Sequence, residues 1–360
     1  MLMVTGSGVQ VRFACLEDLE QIGNLLPDLA GPLFPERFPG RSVADFCRWK
    51  YFSNPTGEAI VGIAVDGPRV VSLATAVPKR VQVGSGVLLI FELGDFITAP
   101  DYRNRGLFSS LIDMVCGEAA QRGASFAYVR PNPSSFRILV KGLSFLEARK
   151  MDQRRYLVPS GFLHRRTGIP RAVASALGID WITRHLLLPS ADRSITVEPV
   201  THFGDEIDEL WASVRHLYSF SLVRDRQYLN WRYTDCPTPY HLWLAHRNGR
   251  TAGYVVAFAN REEPTGHLVD VFTHPGATDV AAALVRAAVD SLLASGAQLV
   301  YTWTPQSGAE SAAAQALRSA CRLVTKPHLH VAVRFLDSRM NASHLPSGGW
   351  QLTLGDFDGI

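Results

Sequence analysis

The chain has few cysteines, no long apolar run and no strong excess of charge. Its five cysteines in 360 residues (Cys15, Cys47, Cys116, Cys236 and Cys321) are odd in number, far apart and never in a Cys-x-x-Cys pair. That spacing argues against a disulfide framework or a structural zinc site, and the thiols are expected to be free and buried. Although 47% of the residues are hydrophobic, no apolar stretch reaches the roughly 18 residues that a membrane span needs. The opening Met-Leu-Met-Val-Thr-Gly-Ser-Gly has neither the positive nor the apolar segment of a secretion signal, so a cytoplasmic protein is expected. A net charge of +3 is too small to imply nucleic acid as a partner. His, Cys and acidic residues nowhere fall at metal-ligand spacing, so no metal is expected. The basic clusters Arg149, Lys150, Arg154, Arg155 and Arg165, Arg166 read as solvated faces or as a rim attracting an anionic ligand.

A duplicated plan fills the length, which suits two units of about 150 residues. The first half starts with a strand at 9–13 and an amphipathic helix on Ile22, Leu25 and Leu26, then a helix over 42–52. Strands follow at 59–65 and 70–77, joined through Asp66-Gly67-Pro68, then a long strand at 87–98, a helix and a strand at 126–130. Arg48-Trp49-Lys50-Tyr51 is answered by Asn230-Trp231-Arg232-Tyr233. Asp95-Phe96-Ile97-Thr98-Ala99-Pro100 is answered by Asp270-Val271-Phe272-Thr273-His274-Pro275, and Tyr128-Val129-Arg130-Pro131 by Thr302-Trp303-Thr304-Pro305. Trp49 to Trp231, Pro100 to Pro275 and Pro131 to Pro305 are 182, 175 and 174 residues apart, a near-constant offset that indicates tandem duplication. Residues 1–157 and 194–360 are the expected halves, with an ordered crossover at 158–193 around Pro159, Gly161, Pro170, Gly178 and Pro189.

Arg103-Asn104-Arg105-Gly106-Leu107-Phe108 stands between the long strand and a helix whose apolar face is Phe108, Leu111, Ile112, Val115 and Ala119. A helix starting at Gly106 points unpaired N–H groups outward and forms an anion cradle. The order strand, proline turn, Arg-x-x-Gly-x-Phe, helix resembles the pyrophosphate loop of the GCN5-related N-acetyltransferase (GNAT) superfamily. It departs at Phe108, where glycine or alanine is usual, so the Phe108 ring is expected to turn into the core. The run from Asn132-Pro-Ser-Ser135 through Phe136, Leu139 and Val140 to Ser144-Phe145 is similar to that superfamily's second motif. The second half has Gly-Ala-Thr-Asp after Pro275 and lacks the cradle. It is expected to bind no acyl-CoA and to form a wall for the acceptor.

The resemblance implies an α/β fold of two tandem GNAT-like domains, each a mixed sheet flanked by helices. It also implies acetyl-CoA or another acyl-CoA as co-substrate and a small amine as acceptor. The loop residues Arg103, Asn104, Arg105, Gly106, Leu107 and Phe108 would hold the phosphates. Phe96, Ile97 and Thr98 would offer a strand edge to pantetheine, with Gly94 marking a bulge, and Asn132 and Ser135 would complete the cofactor site. Glu92, eight residues before Pro100, is the first choice of base, and an apolar setting would raise its pKa unless it is paired. Asp95 is the second choice, on the opposite strand face unless a bulge intervenes. Val140 stands near the tyrosine that many relatives use to protonate the leaving thiolate, so that proton would come from Tyr102, Tyr128, water or the amine. His328 and His330 share a strand face and are candidates for binding the acceptor or for acting as a base. Asp356 and Asp358 are candidates for attracting an ammonium group. Tandem relatives with Trp-Lys-Tyr and Asn-Pro signatures point to amino sugars, nucleotide-linked ones included, or to another small amine such as an antibiotic intermediate. A sensor that binds acyl-CoA without turnover is the reading from another class. FemABX-type aminoacyltransferases fit less well, because the phosphate loop is present and a strongly basic surface is not.

Overall fold

The computed structural model describes residues 3–4, 8–26, 42–157, 173, 192, 194–260, 263–306 and 311–357. The expected crossover at 158–193, Arg165, Arg166 and Asp358 lie almost wholly outside the described residues. The first half runs β1 (Met3–Val4), β2 (Gln10–Phe13), α1 (Leu19–Leu25) and α2 (Val43–Cys47), which continues into a wider π-helical turn, Arg48–Phe52. Then come β3 (Ile60–Asp66), β4 (Arg69–Val83), β5 (Gly86–Thr98), α3 (Leu107–Gln121), β6 (Phe126–Val129), α4 (Pro133–Gly142) and β7 (Leu146–Leu157). The second half has β8 (Ile195–Val200), α5 (Glu206–Val214), β9 (Phe220–Leu222), α6 (Arg226–Tyr233), β10 (His241–Arg247), β11 (Arg250–Ala259) and β12 (Thr265–Thr273). It ends with α7 (Thr278–Ala294), β13 (Leu299–Pro305), α8 (Ala312–Ala320), β14 (Leu323–Phe335) and β15 (Trp350–Gln351).

Fifteen strands among the described residues form one sheet, in the order β1-β2-β3-β4-β5-β6-β14-β7-β13-β12-β11-β10-β8, with β9 on β4 and β15 on β9. The halves are therefore joined by strand exchange: β14 pairs with β6 of the first half, and β7 pairs with β13 of the second. Pairing is antiparallel except for β5 with β6, β12 with β13, and β9 with β15. α3 packs on the first half through Leu107, Leu111, Ile112, Val115, Cys116 and Ala119. Gly62 lets it approach β3, since a Cβ there would stand 2.9 Å from Met114. Each fully buried aliphatic side chain of that face contributes about 1.5–3 kcal/mol. α7 and α8 cover the second half in the same way.

On the other side one core is shared by both halves, with Trp49, Tyr51 and Val61 alongside Trp231, Tyr233, Tyr254 and Phe272. At its centre Trp49 and Trp231 stack with ring centroids 5.2 Å apart. Each indole N–H donates to the other tryptophan's main-chain oxygen, at 2.7 and 3.2 Å. The duplicated residues are thus partners across a pseudo-twofold relation.

Two expectations need correction. Cys15 is exposed while the other four thiols are buried, because Cys15 precedes the first helix and bonds Asp18 there. Arg149 and Arg154 are not a solvated face. β7 lies inside the sheet, so Arg149 stacks on Trp350 and donates to Pro346 O, while Arg154 donates to Thr304 and Asp152. No helix is long and apolar enough to cross a membrane among the described residues.

Candidate active site

β5 and β6 pair only from Ile90 to Glu92 against Phe126 to Tyr128. Beyond that the strands diverge, and a cavity of about 180 Å³ opens in the wedge. It is lined by Glu92 to Phe96 on one strand, Val129 to Asn132 and Ser135 on the other side, and Phe357. The register of β5 on β4 shifts here: Thr75 faces Gly94 while Leu73 faces Ile97, so β5 carries one extra residue. Asp95 takes a left-handed backbone conformation, φ +49°, which for a non-glycine residue stores about 1–3 kcal/mol of strain. This bulge reverses the strand alternation, and Glu92 and Asp95 end up lining one cavity.

Both carboxylates are held by buried lysines. Glu92 Oε2 lies 2.5 Å from Lys79 Nζ, each side chain 4% exposed. Burial works against the Lys79 ammonium, but Glu92 and Tyr228 together outweigh it and the Lys79 pKa is raised. Asp95 Oδ2 accepts from Lys50 Nζ at 2.6 Å, Tyr51 Oη at 2.8 Å and Thr75 Oγ1 at 3.1 Å. The π-helical turn makes this possible, because its wider winding buries Trp49, Lys50 and Tyr51 in succession.

At the far end of β5, Pro100–Tyr102 form a short 3₁₀ turn and Gly106 opens α3 at φ +77° with no side-chain cap. A Cβ at Gly106 would meet nothing within 4 Å, so the glycine is there for its left-handed backbone. Residues 103–106 are exposed. Arg103 Nε donates back to Thr98 O, and Arg105 donates to Asp101 O while stacking on Tyr102. Phe108 turns inward, its ring edge-on to Phe96 at 5.3 Å. The uncapped start of α3 thus stands beside two exposed arginines, a few residues beyond the end of β5.

A family description, acetyltransferase (GNAT) domain, matches residues 34–141, and a second, acetyltransferase (GNAT) family, matches residues 208–317. The chain carries two GNAT domains. Its fold is similar to a tandem GNAT protein from the clavulanic acid biosynthesis pathway, at TM-score 0.60 and 14% identity over 91% of this chain and 99% of that one. It is also similar to Saccharomyces cerevisiae N-myristoyltransferase with bound myristoyl-CoA (TM-score 0.63, 10% identity, 98% of this chain and 91% of that one). A GCN5-related N-acetyltransferase from Anabaena variabilis aligns over 91% of this chain and 73% of its own, at TM-score 0.61 and 13% identity. No curated protein matches the sequence.

Other expected site residues fall in different places. Asn132 caps α4 by accepting from Ser135 N at 2.9 Å, and both residues line the wedge. His330 is not brought to the wedge: it stacks on Phe136 of α4 at 4.2 Å and lies 2.5 Å from Glu147. The side chain of His328 lies outside what the structure describes. Asp356 is 3% exposed and bound by Arg224 at 2.7 and 2.9 Å, while its main-chain oxygen accepts from Lys79 and Tyr128. Burial raises the Asp356 pKa, with Asp270 adding to it against the pull of Arg224. Tyr128 is committed to that carbonyl, and half-buried Tyr102 to Asp66, whose hydrogen bond raises the Tyr102 pKa. Val140 is half-buried against the α3 core.

Sequence reasoning missed Lys79, Lys50 and Tyr51 as partners of the two carboxylates, and Arg130 and Phe357 as cavity residues. Arg130 lines the wedge with its guanidinium over Trp303 at 4.8 Å. Lys50, Tyr51 and Arg130 stood in the echoed motifs, and the echo of Tyr51 extends to its partner: the Tyr51 hydroxyl lies 2.8 Å from Asp95 and that of its counterpart Tyr233 lies 3.3 Å from Asp270.

Proposed function

We propose that the protein is an N-acyltransferase that moves an acetyl or other short acyl group from acyl-CoA to the amine of a small acceptor. The observation that carries this reading is the bulged wedge with two carboxylates on a strand that leads, through a short turn, into an uncapped helix N-terminus flanked by Arg103 and Arg105. The phosphates of CoA bind the N–H groups of residues 104–108 and Arg103. Pantetheine runs along Phe96, Ile97 and Thr98, whose edge toward β6 is left without a strand partner once the strands part. Asn132 and Ser135 face it across the wedge.

The amine nitrogen attacks the thioester carbonyl, its C–N bond forms, and the C–S bond breaks to release CoA thiolate. Glu92, or Asp95, receives the amine's proton directly or through one water. Each carboxylate lies against a buried lysine ammonium, Glu92 against Lys79 and Asp95 against Lys50. With Val140 near the usual tyrosine place, the thiolate takes its proton from water, or takes the amine's one departing proton itself in place of the carboxylate. Two GNAT halves with only one phosphate loop support one acyl-CoA site per chain, with the second half bordering the acceptor. An amino sugar, free or nucleotide-linked, is the acceptor class we favour, by likeness to tandem relatives.

The pairing of both carboxylates with lysines favours one second reading, an acyl-CoA sensor without turnover. Free thiol is followed with acetyl-CoA and a panel of amines and amino sugars. Thiol release with at least one amine supports the enzyme, and CoA binding with no release supports the sensor. No binding, with Arg103→Ala indistinguishable from wild type, refutes the loop assignment.

A further inference from the structure

The second half has its own wedge, and the chain itself occupies it. β12 pairs with β13 only from Thr265 to His267 against Leu299 to Tyr301, then the strands part as β5 and β6 do. The β12 register also shifts beside Asp270, the counterpart of Asp95. Into this opening run residues 350–357, all buried. Gln351 spans it: its Nε2 donates to Val271 O at 2.8 Å and its Oε1 accepts from Ser311 Oγ at 2.8 Å. Val271 is the counterpart of Phe96, and Ser311 caps α8 as Asn132 caps α4. Thr353 Oγ1 bonds Asp270, and Asp356 is clamped by Arg224, itself 1% exposed. Gly355 fits because a Cβ there would stand 2.1 Å from Tyr233 Oη.

The segment leaves the second wedge at Phe357, whose ring packs against Tyr128 at 6.0 Å and Trp303 at 5.7 Å and lines the first cavity together with Glu92 and Arg130. We infer that residues 351–357 are a built-in occupant of the second acyl-CoA-like groove and that they present Phe357 as the end wall of the first, so that Phe357 limits the length of the acyl group. This rests on the acyl-CoA reading above. A thioester whose phosphates sit at residues 103–108 threads its acyl end into the wedge toward the face where the ring lies. The clamp of Asp356 by Arg224 and the bonds of its main-chain oxygen to Lys79 and Tyr128 fix that wall in place.

The test measures kcat/KM with acetyl-, butanoyl- and hexanoyl-CoA, and their Kd by calorimetry, for wild type, Phe357→Ala and Phe357→Leu. Wild type is expected to favour acetyl-CoA. Phe357→Ala is expected to raise the hexanoyl-to-acetyl ratio about tenfold or more, the scale on which an apolar pocket discriminates methylenes, and Phe357→Leu to shift it less, in the same direction. Near-ultraviolet circular dichroism checks the fold, and the better-tolerated Phe357→Leu carries the test if the alanine variant unfolds. Unchanged ratios in a folded variant overturn the inference and leave the acyl-CoA reading intact. Failure of wild type to bind any of the three thioesters overturns both.

Discussion

Removing Lys79 tests whether the wedge is organised by the buried ion pair. Its Nζ lies 2.5 Å from Glu92 and 3.1 Å from Asp356 O, and both charged side chains are only 4% exposed. Lys79→Met keeps most of the side-chain volume but takes the ammonium away from the buried Glu92 carboxylate, and breaking a buried pair from one side costs about 3–5 kcal/mol. Asp356 O is not stranded, since Tyr128 still donates to it at 2.8 Å. Glu92→Gln from the other side is expected to lose a similar amount. The double variant carries no buried charge at this place, so its loss falls short of the sum by about 2–3 kcal/mol. Urea unfolding of the four proteins measures this. In addition, Glu92 without its cation is harder to ionise, so the acid limb of kcat/KM in Lys79→Met moves to higher pH. Additive losses, to within about 0.5 kcal/mol, would refute the coupling. An acid limb that stays in place in an active Lys79→Met protein would remove Glu92 as the titrating base.

Arg103→Ala is expected to raise the acyl-CoA KM about tenfold with little change in kcat, since phosphate binding is shared by ground and transition states; steady-state kinetics checks it, and a fall in kcat at constant KM contradicts it. Trp49→Phe and Trp231→Phe each remove one buried N–H···O bond of the reciprocal pair and are expected to destabilise by about 1–3 kcal/mol, nearly equally, in urea unfolding. Arg12 donates to both Asp18 oxygens at 2.6 and 2.7 Å and holds that carboxyl down at about 2 from 3.8. Because the folded value is the lower one, the stabilisation is complete above the unfolded value and lost as pH falls from about 4 toward 2, on the order of 1–2 kcal/mol. Asp18→Asn should therefore differ from wild type in unfolding midpoint at pH 6 and converge on it near pH 2.

Patterns carried by neighbouring residues were legible. The uncapped turn before α3, the long β5 with its glycine and the echoes of Trp49 and Asp95 are each written in a few consecutive positions, and the structure puts them where local rules lead. What depended on register was not. Lys79 is thirteen residues before Glu92, and no periodicity says that a hairpin folds one onto the other. The alternation that separates Glu92 from Asp95 holds until a single extra residue reverses it. His328 and His330 show the same limit: spacing assigns them a common face, but only the sheet order decides that His330 meets α4 and Glu147. Phe357 reaches the wedge through a segment whose path is fixed by Arg224, Asp270 and Ser311, all distant in sequence.

The exchange of β7 and β14 has a consequence for how the chain can be made and taken apart. Each closing strand completes the other half's sheet, so severing the chain between the halves bares the hydrogen-bonding edges of β6 and β13. Bare edges recruit strands from other molecules. Separately produced halves are therefore expected to be insoluble or to self-associate, and to recover a soluble form when refolded together. During synthesis, β6 emerges more than a hundred residues before β14, its permanent neighbour. The first half must wait for the end of the second, which makes this protein dependent on slow, long-range closure and on whatever shields an unfinished sheet meanwhile.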